Sequence, residues 1–232
     1  MDPASTPVTA ALALAFGLAP VACTVSVAPR LEWLPTDGRA GAAALLAATL
    51  GSALLGLAVL PGATLAVSVP TGADLVWMAL APPLLFGVGL ITGVATLRIP
   101  FDHFPPQLSG GARTRTGGPG LAVATVLLAG AGEELMFRGV VQTSLAASVG
   151  PVVGVGLAAV ASGLHYLPAV TRRPRAIDLD GVARLAVTAV GSAVLGVVYV
   201  GTDNLLVPIV AHTIHAGALA LVRERLQRRA PR

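Results

Sequence analysis

The chain has 232 residues, of which 55% are hydrophobic and 11% charged, with a net charge of +4 and a mean hydropathy of +0.81. This balance excludes an ordinary water-soluble domain, because uncharged runs longer than the roughly 18 residues that mark a membrane span recur along it. The basic pI near 10.5 does not imply a nucleic-acid partner either: the arginines stand at the ends of apolar runs, where such charges orient spans.

The predicted architecture is all-α, a polytopic transmembrane helical bundle with spans at 8–28, 40–60, 75–97, 119–147, 151–167, 184–201 and 204–222. The first run lacks the basic n-region of a signal peptide and its first charge is Asp2, so it is expected to remain as a helix. Cys23 is the single cysteine, which excludes an intrachain disulfide and reads as a small core residue. The stretch from Ala40 to Ala73 is long enough to contain a re-entrant segment after Pro61-Gly62.

Residues Arg98 to Gly118 carry Arg98, Asp102, His103, Arg113 and Arg115 among paired prolines and glycines, a polar loop in which Phe101 and Phe104 can dip into the membrane interface. A second polar loop runs from Arg172 to Arg184 and contains Asp178, Asp180 and Gly181. The basic end, from Arg223 to Arg232, suits a helix terminus that reaches to anionic headgroups. Seven spans place Arg30, Arg39 and all these loop and tail arginines on one side, which positive-inside reasoning makes the cytoplasm. All fifteen basic residues are arginine. No inverted repeat of the kind found in transporters is visible.

The chemistry concentrates in Gly-Glu-Glu-Leu-Met-Phe-Arg, residues 132–138, inside a stretch otherwise uncharged from Thr116 to Thr171. Each ionised group at the centre of a bilayer helix costs about 2.5 to 3.5 kcal/mol on insertion scales, so three together point to function. On a helix, Glu134 and Arg138 stand at i and i+4 and can neutralise each other. Glu133 is turned about 100° away from Glu134, so it must find another partner or take up a proton. A purely structural ion-pair network accounts for the pair but not for the adjacent glutamate.

Three further ionisable groups fall in the later spans: His165, His212 and His215. Singly, each reads as a hydrogen-bonded packing residue; as a set they can converge on Glu133. Glutamate with histidines suits zinc, with Glu133, His165 and His212 as ligands, and suits equally a metal-free site in which Glu133 and His165 hold a water.

Glu133-Glu134-x-x-x-Arg138, then His165 and His212, resembles the CPBP family of intramembrane proteases, which includes the CAAX-processing endopeptidases and the Abi proteins. The resemblance divides the chain into N-terminal helices and a loop at 1–117, a catalytic-core-like segment at 118–222 and a basic tail at 223–232. It implies an endopeptidase acting on membrane-associated substrates, in which Glu133 is the general base on a water held with His165 and His212 steadies the oxyanion. Glu134 and Arg138 would hold the helix, and Zn2+ stands as a candidate cofactor beside a metal-independent mechanism. Two positions depart from the family pattern. Ala161 replaces the usual Phe four residues before His165, and Ala216 replaces the usual Asn four residues after His212, where His215 is the expected substitute. The alternatives are a non-catalytic, immunity-type membrane protein that binds a partner, and a proton-coupled transporter.

The expected setting is a bacterial cell membrane. Reporters active on one side of the membrane, fused to either end, are expected to place the N-terminus outside and the C-terminus in the cytoplasm. The same signal at both ends would remove the seven-span arrangement.

Overall fold

A computed structural model describes residues 6–26, 38–97, 119–167 and 179–229, and the side chains of 7–22, 46–92, 126–167 and 181–222. All regular elements among these residues are helices: α1 (Thr6–Ser26), α2 (Gly38–Val59), α3 (Gly72–Leu97), α4 (Pro119–Glu134), a π-helical segment (Leu135–Gln142), α5 (Thr143–Val149), α6 (Pro151–His165), α7 (Leu179–Thr202) and α8 (Leu206–Arg229). The run from α4 through α5 is continuous, so the described residues form seven helical runs. Those over Gly72–Thr92 and Gly181–Thr202 are long and apolar enough to cross a bilayer, and Pro7–Ala22, Leu46–Val59, Pro151–His165 and Leu206–Val222 are shorter apolar helices. The Cys23 side chain, the loop with Asp102 and His103, most of the Arg172 loop and the side chains of the basic tail lie outside the described residues.

Two apolar cores hold the bundle. One gathers Ala13, Ala53, Phe137, Val140, Val141 and Ala158 from α1, α2, the π segment and α6. The other gathers Ala81, Leu85, Leu195, Val198, Val207 and Ala211 from α3, α7 and α8. Between helices in lipid such cores contribute van der Waals packing, but they impose no register of their own.

Small residues set how closely the helices approach. Gly150, at φ +89°, turns the chain between α5 and α6, and Pro151 opens α6 at a position where a missing N–H costs nothing. A Cβ at Gly154 would lie 2.7 Å from the Ala146 backbone nitrogen, and one at Gly163 would lie 2.8 Å from the Leu185 carbonyl oxygen on α7.

The expected re-entrant position after Pro61-Gly62 holds no helix. Residues 63–71 instead run as irregular backbone across the bundle. Thr64 N–H donates to the Gly139 carbonyl (3.0 Å), and Leu205 N–H donates to the Ala66 carbonyl (2.7 Å). Asn204, fully buried, donates to the Ser68 carbonyl (3.2 Å) and to Asp74 Oδ2 (3.3 Å), while its own oxygen accepts from Ser68 N–H and Leu206 N–H. Thr71 and Asp74 cap the start of α3 reciprocally. This strap ties the π segment to the corner between α7 and α8, where Asp203 takes the left-handed conformation at φ 46°.

Gly163→Ala is expected to lower stability by about 1 to 3 kcal/mol through overpacking, read as a reduced melting temperature in detergent. Gly87→Ala, in α3 with nothing within 4 Å of the added Cβ, is expected to be neutral or mildly stabilising. Equal melting temperatures for the two variants would contradict the close α6–α7 contact.

Candidate active site

The helix carrying the acidic motif changes pitch one residue after the second glutamate. Glu134 ends α4, and the π segment that follows is buried from Met136 to Gln142. Short π segments recur at functional sites because the wider turn re-aims side chains. Here two side chains four residues apart, Arg138 and Gln142, reach two α7 carbonyls four residues apart. Arg138 Nη2 donates to the Ser192 carbonyl (2.7 Å) and Gln142 Nε2 to the Gly196 carbonyl (3.0 Å). Gly196 makes the second contact possible, since a Cβ there would meet Gln142 Oε1 at 2.7 Å.

Glu134 is enclosed by positive and donor groups. Its Oε2 lies 3.0 Å from Arg138 Nε, and its Oε1 lies 2.7 Å from His212 Nδ1 on α8, with the glutamate and arginine side chains 1% and 2% exposed. Facing an arginine, the carboxylate is ionised and can only accept, so His212 presents Nδ1–H to it. That fixes the tautomer and orientation of the imidazole. Nε2 of the same ring lies 3.9 Å from Glu133 Oε2.

Glu133 has a different environment. Both its oxygens accept from the Tyr166 hydroxyl, at 2.7 and 2.8 Å, and its side chain is 16% exposed. Two adjacent glutamates are thus separated by the helix turn into a locked carboxylate and one held by a single neutral donor.

His165 ends α6 and is buried. It packs edge-on against Phe137 (ring centroids 5.5 Å) and Tyr166 (5.6 Å), lies within electrostatic reach of Glu133, and its Nδ1 has no hydrogen-bond partner among the described residues. Phe137, from the π segment, supplies the aromatic contact to His165, while Ala161 lies in the adjoining core. His215 faces α3 instead: its ring meets Phe86 edge-on at 4.7 Å and bonds to the Pro82 backbone. An i+3 step leaves a side chain about 60° from its starting direction, so His215 stays within electrostatic reach of His212 while its ring packs on α3.

The structure therefore brings Glu133, Glu134, Arg138, His165 and His212 together and leaves His215 to the side. As arranged, they form no ready metal cradle. Among the described residues no three His, Cys, Asp or Glu side chains are grouped to hold a metal ion. His212 Nδ1 is engaged with Glu134, and both Glu133 oxygens take the Tyr166 hydroxyl.

Sequence reasoning missed Tyr166, Gln142 and Ser192. One signal for the first was available. Tyrosine occurs twice in the chain, and one of the pair follows His165 at the end of an apolar run.

Residues 116–218 match the family model described as type II CAAX prenyl endopeptidase Rce1-like. The resemblance to the CPBP and CAAX proteases read from the motif is thereby shown for this segment, which contains every residue of the cluster. No curated protein and no solved structure matches the chain.

Arg138→Ala is expected to cut yield and melting temperature sharply, since removing one partner of a buried pair costs about 3 to 5 kcal/mol. Gln142→Ala is expected to cost less, about 1 to 3 kcal/mol, because it strands no charge. The comparison is made by purification yield and melting in detergent, and a milder loss for Arg138→Ala than for Gln142→Ala would refute the assignment of Arg138 as the central tie.

Proposed function

We propose that the chain is an intramembrane endopeptidase that hydrolyses peptide bonds of membrane-associated substrates with a glutamate-activated water. The observation that carries this reading is the contrast between the two glutamates. Glu134 is locked by Arg138 at 3.0 Å and His212 at 2.7 Å, whereas Glu133 faces no arginine, lies 3.9 Å from His212 Nε2 and keeps some exposure. A carboxylate neutralised by an arginine is a poor base; one held by a neutral hydroxyl can take a proton and return it.

In this reading a water lies between Glu133 and His165, whose imidazole has hydrogen-bonding capacity to spare. Glu133 takes the water's proton as its oxygen attacks the substrate carbonyl. His212, aimed by Glu134, turns Nε2 toward the same point and steadies the developing oxyanion when that nitrogen carries a proton. The proton on Glu133 passes to the leaving nitrogen. Every step uses side chains present in the cluster, and none is routed through a metal.

The membrane setting rests on the exterior. Leu54, Leu84, Ile91, Val152, Val160 and Val197 are exposed large hydrophobics on four different helices, which suits lipid and not water. The seven-span arrangement and the cytoplasmic C-terminus are part of this proposal. The family description concerns prenyl endopeptidases; for this chain the proposal extends to peptide hydrolysis at a membrane and does not require a prenyl group.

The transporter alternative has less support, because no inverted repeat is visible in the sequence. Glu133→Gln is expected to retain the yield and melting temperature of the parent while abolishing cleavage of a membrane-peptide library by purified protein in nanodiscs. Cleavage undiminished in Glu133→Gln, or none by the parent, would turn preference to the non-catalytic reading.

A further inference from the structure

We infer that the Tyr166 hydroxyl is an oxyanion donor of this site, delivered to the substrate carbonyl oxygen by the same proton transfer that neutralises Glu133. The inference rests on the peptidase reading above and adds a catalytic residue to it.

The hydroxyl lies 2.7 and 2.8 Å from the two oxygens of Glu133. A water activated by Glu133 must itself lie about 2.6 to 3.2 Å from one of those oxygens. The carbonyl it attacks is therefore a near neighbour of the phenol, within reach of a rotation about the C–O bond and a small ring movement. The backbone under this side chain is fixed, since Tyr166 caps α6 with its N–H on the Gly163 and Leu164 carbonyls. The ring is braced edge-on by His165.

Apart from His212 Nε2, which lies 3.9 Å from Glu133 and donates only when it carries a proton, the other donors of the cluster are committed. Arg138 is held by Glu134 and the Ser192 carbonyl, and His212 spends Nδ1–H on Glu134. Neither of these can leave its partner without stranding a buried carboxylate. Tyr166 alone among these donors has as its partner the group whose charge changes in the reaction.

The exchange follows from that. At rest the O–H is bonded to a carboxylate, a charge-assisted bond about twice as strong as a neutral one. When the water oxygen bonds to the carbonyl carbon, the carbonyl π electrons move to its oxygen and the water's proton moves to Glu133. The negative charge leaves the Tyr166 acceptor and appears on the substrate oxygen. The stronger acceptor is then the oxyanion, and the O–H turns to it. When the C–N bond breaks, Glu133 gives its proton to the leaving nitrogen and regains the hydroxyl. Tyr166 stays protonated throughout, so atoms and charge balance without a co-reactant.

Tyr166→Phe removes this donor and leaves the ring. Its kcat on the best-cleaved library peptide is expected to fall about 100- to 1,000-fold, the usual scale for one oxyanion donor, with KM within about threefold of the parent. A peptide aldehyde of the same sequence, whose hydrate carries the oxygens of the tetrahedral state, is expected to lose affinity in step with kcat. A parent-like kcat in Tyr166→Phe, or an equal loss in substrate and aldehyde affinity, would overturn the inference.

A second measurement does not depend on the folding of that variant. With tyrosine occurring twice in the chain, 3-fluorotyrosine gives two fluorine resonances, assigned through Tyr199→Phe. The Tyr166 resonance is expected to shift on adding the aldehyde, and an unmoved one would also overturn the proposal. Absence of Glu133-dependent cleavage in the parent is a different failure, that of the peptidase reading itself.

Discussion

The buried chain of contacts from the Ser192 carbonyl through Arg138 and Glu134 to His212 is the constraint on which the rest of the molecule depends. It ties the π segment to α7 by a backbone acceptor and α4 to α8 by a side chain, with every member at hydrogen-bonding or ion-pair distance. Apolar packing gives no comparable register, since two helices coated with Ala, Val and Leu can slide with small loss. A buried charge cannot slide: leaving its partner in low-dielectric surroundings costs several kcal/mol. The two apolar cores lie on either side of this thread, one built on the π segment and one on α3, α7 and α8. The thread sets how they meet.

The strap at 63–71 solves a different problem with the same chemistry. Irregular backbone in an apolar setting is tolerated where its polar groups find partners inside the protein. Here Thr64, Ala66 and Ser68 turn their backbone groups to Gly139, Leu205 and Asn204. Gly139 is part of the arrangement, because a Cβ there would lie 3.1 Å from Leu65 and 3.4 Å from the Thr64 carbonyl. The strap thereby leans on the segment that carries Arg138. Asn204 joins it to Asp74 and so to the start of α3. The corner between α7 and α8 is held in place, and with it the start of the helix that delivers His212.

How far the sequence exposed this depends on the range of each interaction. The helical runs were legible because length and hydropathy are local, and they fall close to the expected spans. The Glu134–Arg138 pair was legible because i and i+4 spacing on one helix is local too. Neither the α7 carbonyls that receive Arg138 and Gln142 nor the Asn204 network could be read, since backbone acceptors leave no mark in sequence and Asn204 is 136 residues from Ser68. His215 was expected as a substitute for the asparagine that Ala216 replaces; it lies within electrostatic reach of His212, and the contacts of its ring with Phe86 and Pro82 on α3 could not be read from the sequence. The π segment was invisible for a related reason: residues 135–142 have no composition that separates them from an α-helix.

Adjacency in sequence is what lets the site hold two carboxylates in two states. A helical step of about 100° sends Glu134 toward α7 and α8 and Glu133 toward the end of α6, so each meets a different set of groups. Had the glutamates stood on one helical face they would have competed for the single charge of Arg138. Placed side by side, one takes up the cation and orients His212, and the other is left to a neutral phenol and a histidine. The π segment starts immediately afterwards, so the change of pitch does not disturb the angle between them. It redirects Arg138 instead, keeping that residue within 3.0 Å of Glu134 while carrying Nη2 across to α7. The scaffold and the reactive group are thus consecutive residues, and a shift in the first moves the second.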